Sequence, residues 1–256
     1  MIKISVCMAS YNGARRIGEQ IESILAQLFA EDELIIVDDG SRDETVTVIE
    51  RLDDTRIRLF RNAVNIGVVP SFERALRLAT GSVICLADQD DRWIDGKARV
   101  IRDLFGRRDI DIIIHDAIVT DGKRTIAESL FRLRNTRSGV LRNIWSNTYV
   151  GCCMAFRSRI LDDILPIPVR LGVWHDAWIG ILAESLGYEV ALVDEKLIEF
   201  IRHESNVSTL KGRRNWRVIG ERLNLIWALS VRIAVIKLCG PALGGKVRGS
   251  REGDPA

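Results

Sequence analysis

Apolar and polar positions along this chain fall into blocks that switch between strand and helix periods. Ile2–Met8 reads as a strand that empties into the turn Ala9-Ser10-Tyr11-Asn12-Gly13. Ile17, Ile21, Ile24, Leu25 and Leu28 then recur at the spacing of one helical face. Leu34–Val37 is a second apolar strand ending in Asp38-Asp39-Gly40. The following Ser41-Arg42-Asp43-Glu44 has the form of a capping box and predicts another helix. Ile57–Phe60 is a third strand. Ser71 is the expected cap of a helix whose Phe72, Ala75, Leu76 and Ala79 share a face, with Gly81 as its stop. The run from Ser82 to Ala87 is a fourth strand, followed by a helix from about Asp95 and a strand at Asp111–His115. This order predicts an α/β fold with a mostly parallel, doubly wound, Rossmann-like sheet.

Beyond residue 120 the pattern loosens. Thr120–Ser138 is polar and arginine-rich, Tyr149–Phe156 resumes as a strand, and Ser158–Leu165 is a short helix stopped by Pro166 and Pro168. His175-Asp176-Ala177-Trp178 opens a helix that Gly187 ends, and Leu197–His203 is a last strand. Irregular connections on a regular first half suit an acceptor side or lid built on a rigid nucleotide-binding half. Trp216–Cys239 is apolar but broken by Asn224, Ser230, Arg232 and Lys237, so no run reaches the ~18 apolar residues of a spanning helix. On a helical projection Arg217, Glu221, Asn224 and Arg232 form a narrow polar stripe. Such a helix either packs into protein or lies in a membrane interface. The expected organisation is a catalytic domain over 1–210, an amphipathic helical segment over 211–240 and a disordered tail over 241–256.

The fourth strand carries the most specific chemistry, because it runs directly into Asp88-Gln89-Asp90-Asp91. Carboxylates at the carboxyl end of a buried strand stand where open α/β sheets bind ligands. Such a cluster is costly to ionise without a cation, and its oxygens suit Mg²⁺ or Mn²⁺ shared with a phosphate-bearing substrate. A solvated acidic turn is the plainer alternative for a lone D-x-D. Composition adds a charge asymmetry to this picture. The net charge of +2 divides into +7 over residues 202–256, from 11 basic and 4 acidic residues, and −5 over the remainder. Either ordinary surface charge or attraction to an anionic surface accounts for that tail, and Lys211, Arg213, Arg214, Lys246, Arg248 and Arg251 around the apolar segment favour anionic lipid. The five cysteines form no C-x-x-C pair. Cys7 and Cys85 read as buried hydrophobes, and Cys152 and Cys153 would face opposite sides of a strand, which points to a reduced, cytosolic setting. Ile2–Met8 already reads as core, so no leader precedes it in this reading.

Neither G-x-G-x-x-G nor G-x-x-x-x-G-K-[ST] occurs, which removes the main support for dinucleotide and P-loop functions. A phosphatase with a nucleophilic D-x-D would place it after the first strand, where this chain has Ser10-Tyr11-Asn12. The order Ala9-Ser10-Tyr11-Asn12-Gly13, Val37-Asp38-Asp39-Gly40-Ser41, Asn65-Ile66-Gly67, Leu86–Asp91 and His175-Asp176 resembles a family 2 glycosyltransferase of GT-A fold. Asp88-Gln89-Asp90-Asp91, Phe72-Glu73-Arg74-Ala75-Leu76, Gly151-Cys152-Cys153-Met154 and Arg202-His203 resemble its rhamnosyltransferase-like branch. The resemblance covers roughly residues 1–207.

The resemblance implies the roles. Ser10, Tyr11, Asn12, Asp38 and Asp39 would line the nucleotide base and ribose, with Asn65 and Arg74 near base and phosphates. Asp88 and Asp90 would form the metal-binding D-x-D, and His203 matches a position that ligates the metal in some relatives, or is a polar strand end. Asp176 would be the general base, within hydrogen-bond reach of an acceptor hydroxyl. Gly151, Cys152, Trp174 and His175 would lie on the acceptor side. His175 stands where the family has an acid, and it either contacts acceptor or holds the helix start. Trp174 and Trp178 either stack on a sugar or pack in the core.

The function expected is a metal-assisted, inverting glycosyltransferase acting from a nucleoside-diphosphate sugar, with dTDP-L-rhamnose first among donors and UDP-sugars next. The acceptor would be a cell-surface polysaccharide or lipid-linked glycan precursor. The enzyme would be cytoplasmic, peripheral on the inner face of the membrane, and without a nucleic-acid partner. A sugar-nucleotide nucleotidyltransferase is a second reading, although Ala9–Arg16 is a poor version of the basic glycine-rich loop it needs. A catalytically inactive sugar-nucleotide or glycan-binding module is a third, weakened by the presence of both Asp90 and Asp176.

Overall fold

The computed structural model describes residues 2–203 and 216–239. Strand and helix alternate through β1 Ile4–Ser10, α1 Ile17–Leu25, β2 Glu33–Asp38, α2 Thr45–Glu50, β3 Ile57–Arg61, α3 Val68–Leu78, β4 Val83–Ala87, β5 Arg92–Trp93 and α4 Lys97–Arg107. The second half holds β6 Ile112–Thr120, β7 Thr125–Ala127, α5 Leu130–Arg134, α6 Val140–Trp145, β8 Met154–Arg157, α7 Leu161–Ile164, α8 His175–Leu186, β9 Val190–Ile201 and α9 Trp216–Cys239. The strands join one sheet in the order β3-β2-β1-β4-β8-β6-β9-β5, with β7 on β6. β1–β4 pair in parallel, and β8 is antiparallel to both β4 and β6. β6 and its parallel neighbour β9 therefore point the same way as β1–β4, and β5, β7 and β8 oppose them. The sheet is mixed but predominantly parallel, as the alternation predicts.

Burial explains why the first strands read as continuous apolar runs. β2 and β4 are buried at every position, as expected of strands covered on both faces. The chain places β2 on one side of β1 and then crosses to place β4 on the other, which makes a topological switch point. Registry puts Ser10 opposite Asp38 and Met8 opposite Ala87, so the ends of β1, β2 and β4 open into one crevice. The loops carrying the sequence-predicted residues leave from that edge.

Three local expectations give way to tertiary demands. Gly67, at φ 100°, starts α3 one turn earlier than the Ser71 cap predicts. Pro70 suits that first turn because its missing N–H needs no partner there. Ser71 is instead buried inside the helix, where its hydroxyl accepts from Asn62 Nδ2 at 3.0 Å. The capping box at Ser41 does not form, because Ser41 Oγ donates to Asp38 at 2.5 Å and accepts from the Asn12 N–H. Asp43 takes over the start of α2 by accepting from Thr45 N. Tyr149–Phe156 is also not a continuous strand. Gly151–Cys153 winds into a 3₁₀ turn before β8, and this changes where the cysteines point. The expected disordered tail, 241–256, lies outside the described residues.

The edge opposite the crevice is fixed by a buried carboxylate. Glu33 accepts from Ser5 Oγ at 2.5 Å, from Thr80 N and Oγ1 at 2.7 Å each, and from the Arg58 guanidinium. Gly81 is required beside it, since a Cβ there would stand 2.6 Å from Ser5 N. Burial opposes the charge, but these donors outweigh it and pull the Glu33 carboxyl down to about 2. A depressed carboxyl contributes stability above its unfolded value that fades as pH falls toward about 2. Glu33→Gln should therefore destabilise the protein by about 2–3 kcal/mol at neutral pH, and the deficit should shrink in urea melts near pH 3. An equal deficit at both pH values would show that packing, not charge, sets its contribution.

Candidate active site

The crevice is built from the turn after β1 outward. Asn12 adopts left-handed φ 48°, which Asn tolerates. Its Oδ1 accepts from Arg42 N at 2.9 Å while its own N–H donates to Ser41 Oγ at 2.9 Å. Gly13 N donates to Thr45 Oγ1 at 2.8 Å. Ser10 is buried, and Tyr11 leaves its ring partly in solvent. Tyr11 also pairs with Gln89: its N–H donates to Oε1 at 3.0 Å and its carbonyl accepts from Nε2 at 3.1 Å. Gly13 makes room for that amide, because a Cβ would lie 2.2 Å from Gln89 Oε1. The middle residue of Asp88-Gln89-Asp90 is thus a strut between the two halves of the crevice, a role sequence spacing did not reveal.

Asp38 and Asp39 brace loops from the floor. Asp38 accepts from Ser41 N and Oγ and from Ser10 Oγ, the last at 3.2 Å. Asp39 accepts from Asn62 Nδ2 at 2.8 Å, Ile66 N at 2.9 Å and Gly67 N at 2.8 Å. The second acid thereby folds the exposed Asn65 back over the crevice edge, where Asn65 N crowds Gly40. Arg74 projects from α3 to the same loop, donating to Arg61 O at 2.9 Å and Asn62 Oδ1 at 2.6 Å. Nucleotide contacts by these residues would be added to this scaffold.

The acids after β4 form the charged centre. Burial first, then the charges of Asp90 and Asp176, push the Asp88 carboxyl up to about 7. Asp176, in the first turn of α8, is therefore close enough to Asp88 to repel it. Burial together with Asp88 and Asp90 raises Asp91 well above the usual carboxylate range. One Asp91 oxygen accepts from Ile201 N at 3.0 Å, and the other is buried beside the Cys152 thiol, whose weak donation restores little. Ligand atoms of Asp88, Asp91 and Cys152 all lie within 4.8 Å of one another. The 3₁₀ turn thus corrects the expectation that Cys152 and Cys153 diverge across a strand. Cys152 turns into the acid cluster, and a hydrogen bond with Cys153, burial and the acids raise its thiol well above the ordinary value.

At the mouth His203 Nε2 stands 2.7 Å from Asp90 Oδ2, so residues 113 apart in sequence meet at the end of β9. The donor set fits a divalent cation: several carboxylate oxygens, one imidazole, and one carboxyl, Asp88, raised to about 7 by burial and by its neighbours' charge. Asp90, His203 and Asp88 are the groups that could hold it.

The acceptor side is assembled from the β8 approach and α8. His175 is buried and stacks on Phe72, with ring centroids 4.3 Å apart and planes at 26°. Neither ring nitrogen has a hydrogen-bond partner among the described residues, and burial lowers its pKa, which keeps the ring neutral. Gly151 permits this position, since a Cβ would lie 2.8 Å from His175 Nε2. Trp174 is exposed, whereas Trp178 is core and donates from Nε1 to Ile164 O at 2.7 Å. Of the two tryptophans, Trp174 alone is available to a sugar.

Two buried residues missed in sequence support the cluster. Gln20 donates from Nε2 to Asp88 O at 2.8 Å. Lys97 is fully buried, donates to Cys152 O at 3.2 Å and lies 4.4 Å over the Trp93 ring. Burial lowers its pKa while Asp91 is among the charges that raise it again. Lys97 opens a helix that also carries Arg99, Arg102 and Asp103, so nothing in the sequence marks it as a buried lysine.

Raised carboxyls have a pH consequence. Asp88 contributes most below its unfolded value of 3.8, and that contribution is lost as pH rises toward about 7. A cation that accepts the ionised form should reverse the loss, because ligands bind metal deprotonated. The rise in Tm given by Mn²⁺ should therefore be larger near pH 8 than near pH 5, and Asp88→Asn should flatten the difference. Equal Mn²⁺ shifts at both pH values in the wild type would rule out engagement of this carboxylate.

Residues 5–165 match Glycosyl transferase family 2. An uncharacterized glycosyltransferase of Nostoc sp. is 30% identical over 80% of this chain and 66% of its own. The UDP-Glc:alpha-D-GlcNAc-diphosphoundecaprenol beta-1,3-glucosyltransferase WfgD of Escherichia coli is 25% identical over 85% of each. Among solved structures, S. aureus TarS in complex with UDP-GlcNAc superposes with TM-score 0.69 at 19% identity, over 91% of this chain and 66% of that one. The mannosyltransferase PcManGT of Pyrobaculum calidifontis, in complex with GDP-Man and Mn²⁺, gives TM-score 0.61 at 17% identity over 96% and 76%. At these identities the structural likeness shows the fold, which is the expected GT-A arrangement. The family match takes in Asp38, Asp39, Asp88, Asp90 and Asp91, and the chain belongs to glycosyl transferase family 2.

Proposed function

We propose that this glycosyltransferase moves a sugar from a nucleoside diphosphate to a hydroxyl of a cell-surface polysaccharide or lipid-linked glycan precursor, with inversion. The observation that carries the reading is the convergence of Asp88, Asp90 and His203 with Asp176 at one end of the sheet. The Asp176 carboxylate takes the proton of the acceptor hydroxyl as that oxygen attacks the anomeric carbon and the bond to the diphosphate breaks. A single displacement of this kind inverts the carbon. Ser10, Tyr11, Asn12, Asp38 and Asp39 hold base and ribose, with Asn65 and Arg74 at the rim. Gly151, Cys152, Trp174 and His175 shape the acceptor side, where the neutral His175 ring adds no charge against Asp176. A divalent cation held by Asp90, His203 and Asp88 would neutralise charge on the leaving diphosphate.

The Asp88-Gln89-Asp90-Asp91, Phe72-Glu73-Arg74-Ala75-Leu76, Gly151-Cys152-Cys153-Met154 and Arg202-His203 resemblances support the rhamnosyltransferase-like branch and a dTDP-L-rhamnose donor. UDP-sugars are the competing donors, since WfgD is named for UDP-Glc and TarS is solved with UDP-GlcNAc. The lipid-linked acceptor rests on the diphosphoundecaprenol in the name of WfgD and on the teichuronic acid role in the name of TuaG of Bacillus subtilis. Such an acceptor supports a position on the cytoplasmic face of the membrane, with the C-terminal segment as the contact. No helix among the described residues is long and apolar enough to cross it.

Asp176→Asn keeps shape but removes the base, so transfer should fall roughly 10²–10⁴-fold with donor binding nearly unchanged. Transfer near the wild-type rate would assign the base elsewhere. Asp90→Asn should weaken Mn²⁺-dependent binding of the nucleoside diphosphate and leave metal-free binding unaltered. A thermal-shift panel of dTDP-rhamnose, UDP-glucose and UDP-GlcNAc, with and without Mn²⁺, identifies the donor. Stabilisation by UDP-sugars alone would overturn the rhamnose assignment.

A further inference from the structure

The last helix is turned in a way its sequence pattern did not show. Its polar residues hold it to the catalytic domain. Asn224 Nδ2 donates to Leu171 O at 3.1 Å, and the Arg232 guanidinium donates to the carbonyls of Asp163 at 2.8 Å, Asp162 at 2.6 Å and Leu165 at 2.5 Å. Those carbonyls belong to the end of α7, where helix carbonyls lack internal partners and cations are favoured. Leu225, Ala228 and Leu229 are buried between these two clasps.

Away from those buried residues α9 exposes mostly apolar side chains, with Asn224 at the edge of the exposed arc. Leu223, Ile226, Trp227, Val231, Val235 and Leu238 all face solvent there, with Trp227 at 60% and Leu238 at 85% exposure. On a 100° projection most of them fall in an arc of about 120°. Beside this face α6, which α9 packs against, exposes Leu141 at 77% and Trp145 at 62%. Arg222 bridges the two helices, its guanidinium 5.1 Å from the Trp145 ring centre. Scattered apolar residues are normal on a surface, but a continuous helical face of them marks an interaction site.

We propose that this outward face of α9, with Leu141 and Trp145 beside it, lies flat in the interface of an anionic lipid bilayer; the proposal rests on the peripheral-membrane reading above and says which surface makes the contact. Charge selects the occupant. Residues 202–256 carry +7, with Lys211, Arg213 and Arg214 preceding the helix in sequence and Lys246, Arg248 and Arg251 following it. Basic flanks around an apolar, tryptophan-bearing face match anionic headgroups. A second copy docking by the same face would bring two such basic segments together. The position also suits a lipid-linked acceptor. Asn224 ties α9 to Leu171, three residues before the exposed Trp174, and Asp176 follows in the same segment. This hydrogen bond joins the helix that bears the bilayer face to the segment leading into the acceptor side.

The test is sedimentation of the full chain with phosphatidylcholine vesicles and with vesicles containing phosphatidylglycerol, at low and high salt. Wild type should bind the anionic vesicles and weaken with salt. Leu223→Glu/Trp227→Glu changes only exposed residues, so the domain should keep its Tm and nucleotide binding while vesicle affinity falls at least about tenfold. Brominated lipid should quench that part of the tryptophan emission which Trp227→Phe removes. If wild type and the double variant bind anionic vesicles equally, the basic flanks alone make the contact, and the proposed face is overturned while the peripheral reading stands. If wild type binds no vesicle, both fall. If light scattering shows a dimer that the double variant dissociates, with no change in vesicle binding, the face belongs to a second copy and the proposal is wrong.

Discussion

Asp88, Asp90, Asp91 and Asp176 converge on one cleft, and their mutual repulsion is the constraint around which the surrounding structure is organised. At an effective dielectric of about 20, two unit charges 4 Å apart differ by roughly 4 kcal/mol from separated ones. Burial first, and then the neighbouring charges, raise the Asp88 carboxyl to about 7 and the Asp91 carboxyl well above the usual carboxylate range. The segment carrying them is held at three points: Gln20 donates to Asp88 O, the Gln89 side chain pairs with the Tyr11 backbone, and Ile201 N donates to the Asp91 carboxyl. Lys97 places a positive charge behind the cluster, clasped to Cys152 O. Such preorganisation is what electrostatic catalysis requires, because charge that is already positioned needs no rearrangement during the reaction.

The same logic separates residues that hold the site from residues free to act. Asp38 and Asp39 are buried, Asp38 bonded to Ser41 and Ser10 and Asp39 to the loop that follows β3. Their first task is to bend β-strand ends into a crevice. Asp176 is less confined. It sits in the first turn of α8, where the helix N-terminus favours an anion, and accepts at 2.6 Å from Ala177 N. His175 beside it has neither the charge nor the hydrogen bonds of an acid. Its ring is fixed by the Phe72 stack and the space that Gly151 leaves, so α8 enters the site carrying one carboxylate rather than two.

Much of this was legible in the chain. Runs buried on both faces have no alternation to misread, so β1, β2 and β4 were legible, with acids at the carboxyl ends of β2 and β4. What was illegible shares a physical cause, which is competition for a side chain by a partner distant in sequence. Ser41 could cap α2, but Asp38 takes its hydroxyl. Ser71 could cap α3, but Gly67 and Pro70 begin the helix sooner and Asn62 takes its oxygen. Gln89 looked like a spacer between two acids, yet it spans 78 residues to reach Tyr11. Cys152 followed strand periodicity in sequence, whereas a 3₁₀ turn directs it at Asp88 and Asp91. Local propensity states what a residue can do, and the fold decides which of those options is used.

The last helix makes the point with opposite sign. Its pattern gave a narrow polar stripe on an otherwise apolar helix, and the habit of globular proteins is to turn apolar residues inward, as Leu225, Ala228 and Leu229 are. Here the domain offers α9 a surface edged with unpaired carbonyls at the end of α7, and carbonyls in that setting need donors more than they need methyl groups. Arg232 supplies three hydrogen bonds to them, and Asn224 supplies a fourth to Leu171. Once those contacts set the rotation of the helix, Trp227 and its neighbours have no place except outside. An amphipathic segment thus fixes the angle between its two faces but not their direction. Direction follows from which face meets the more demanding partner, and in this protein the demanding partner is backbone.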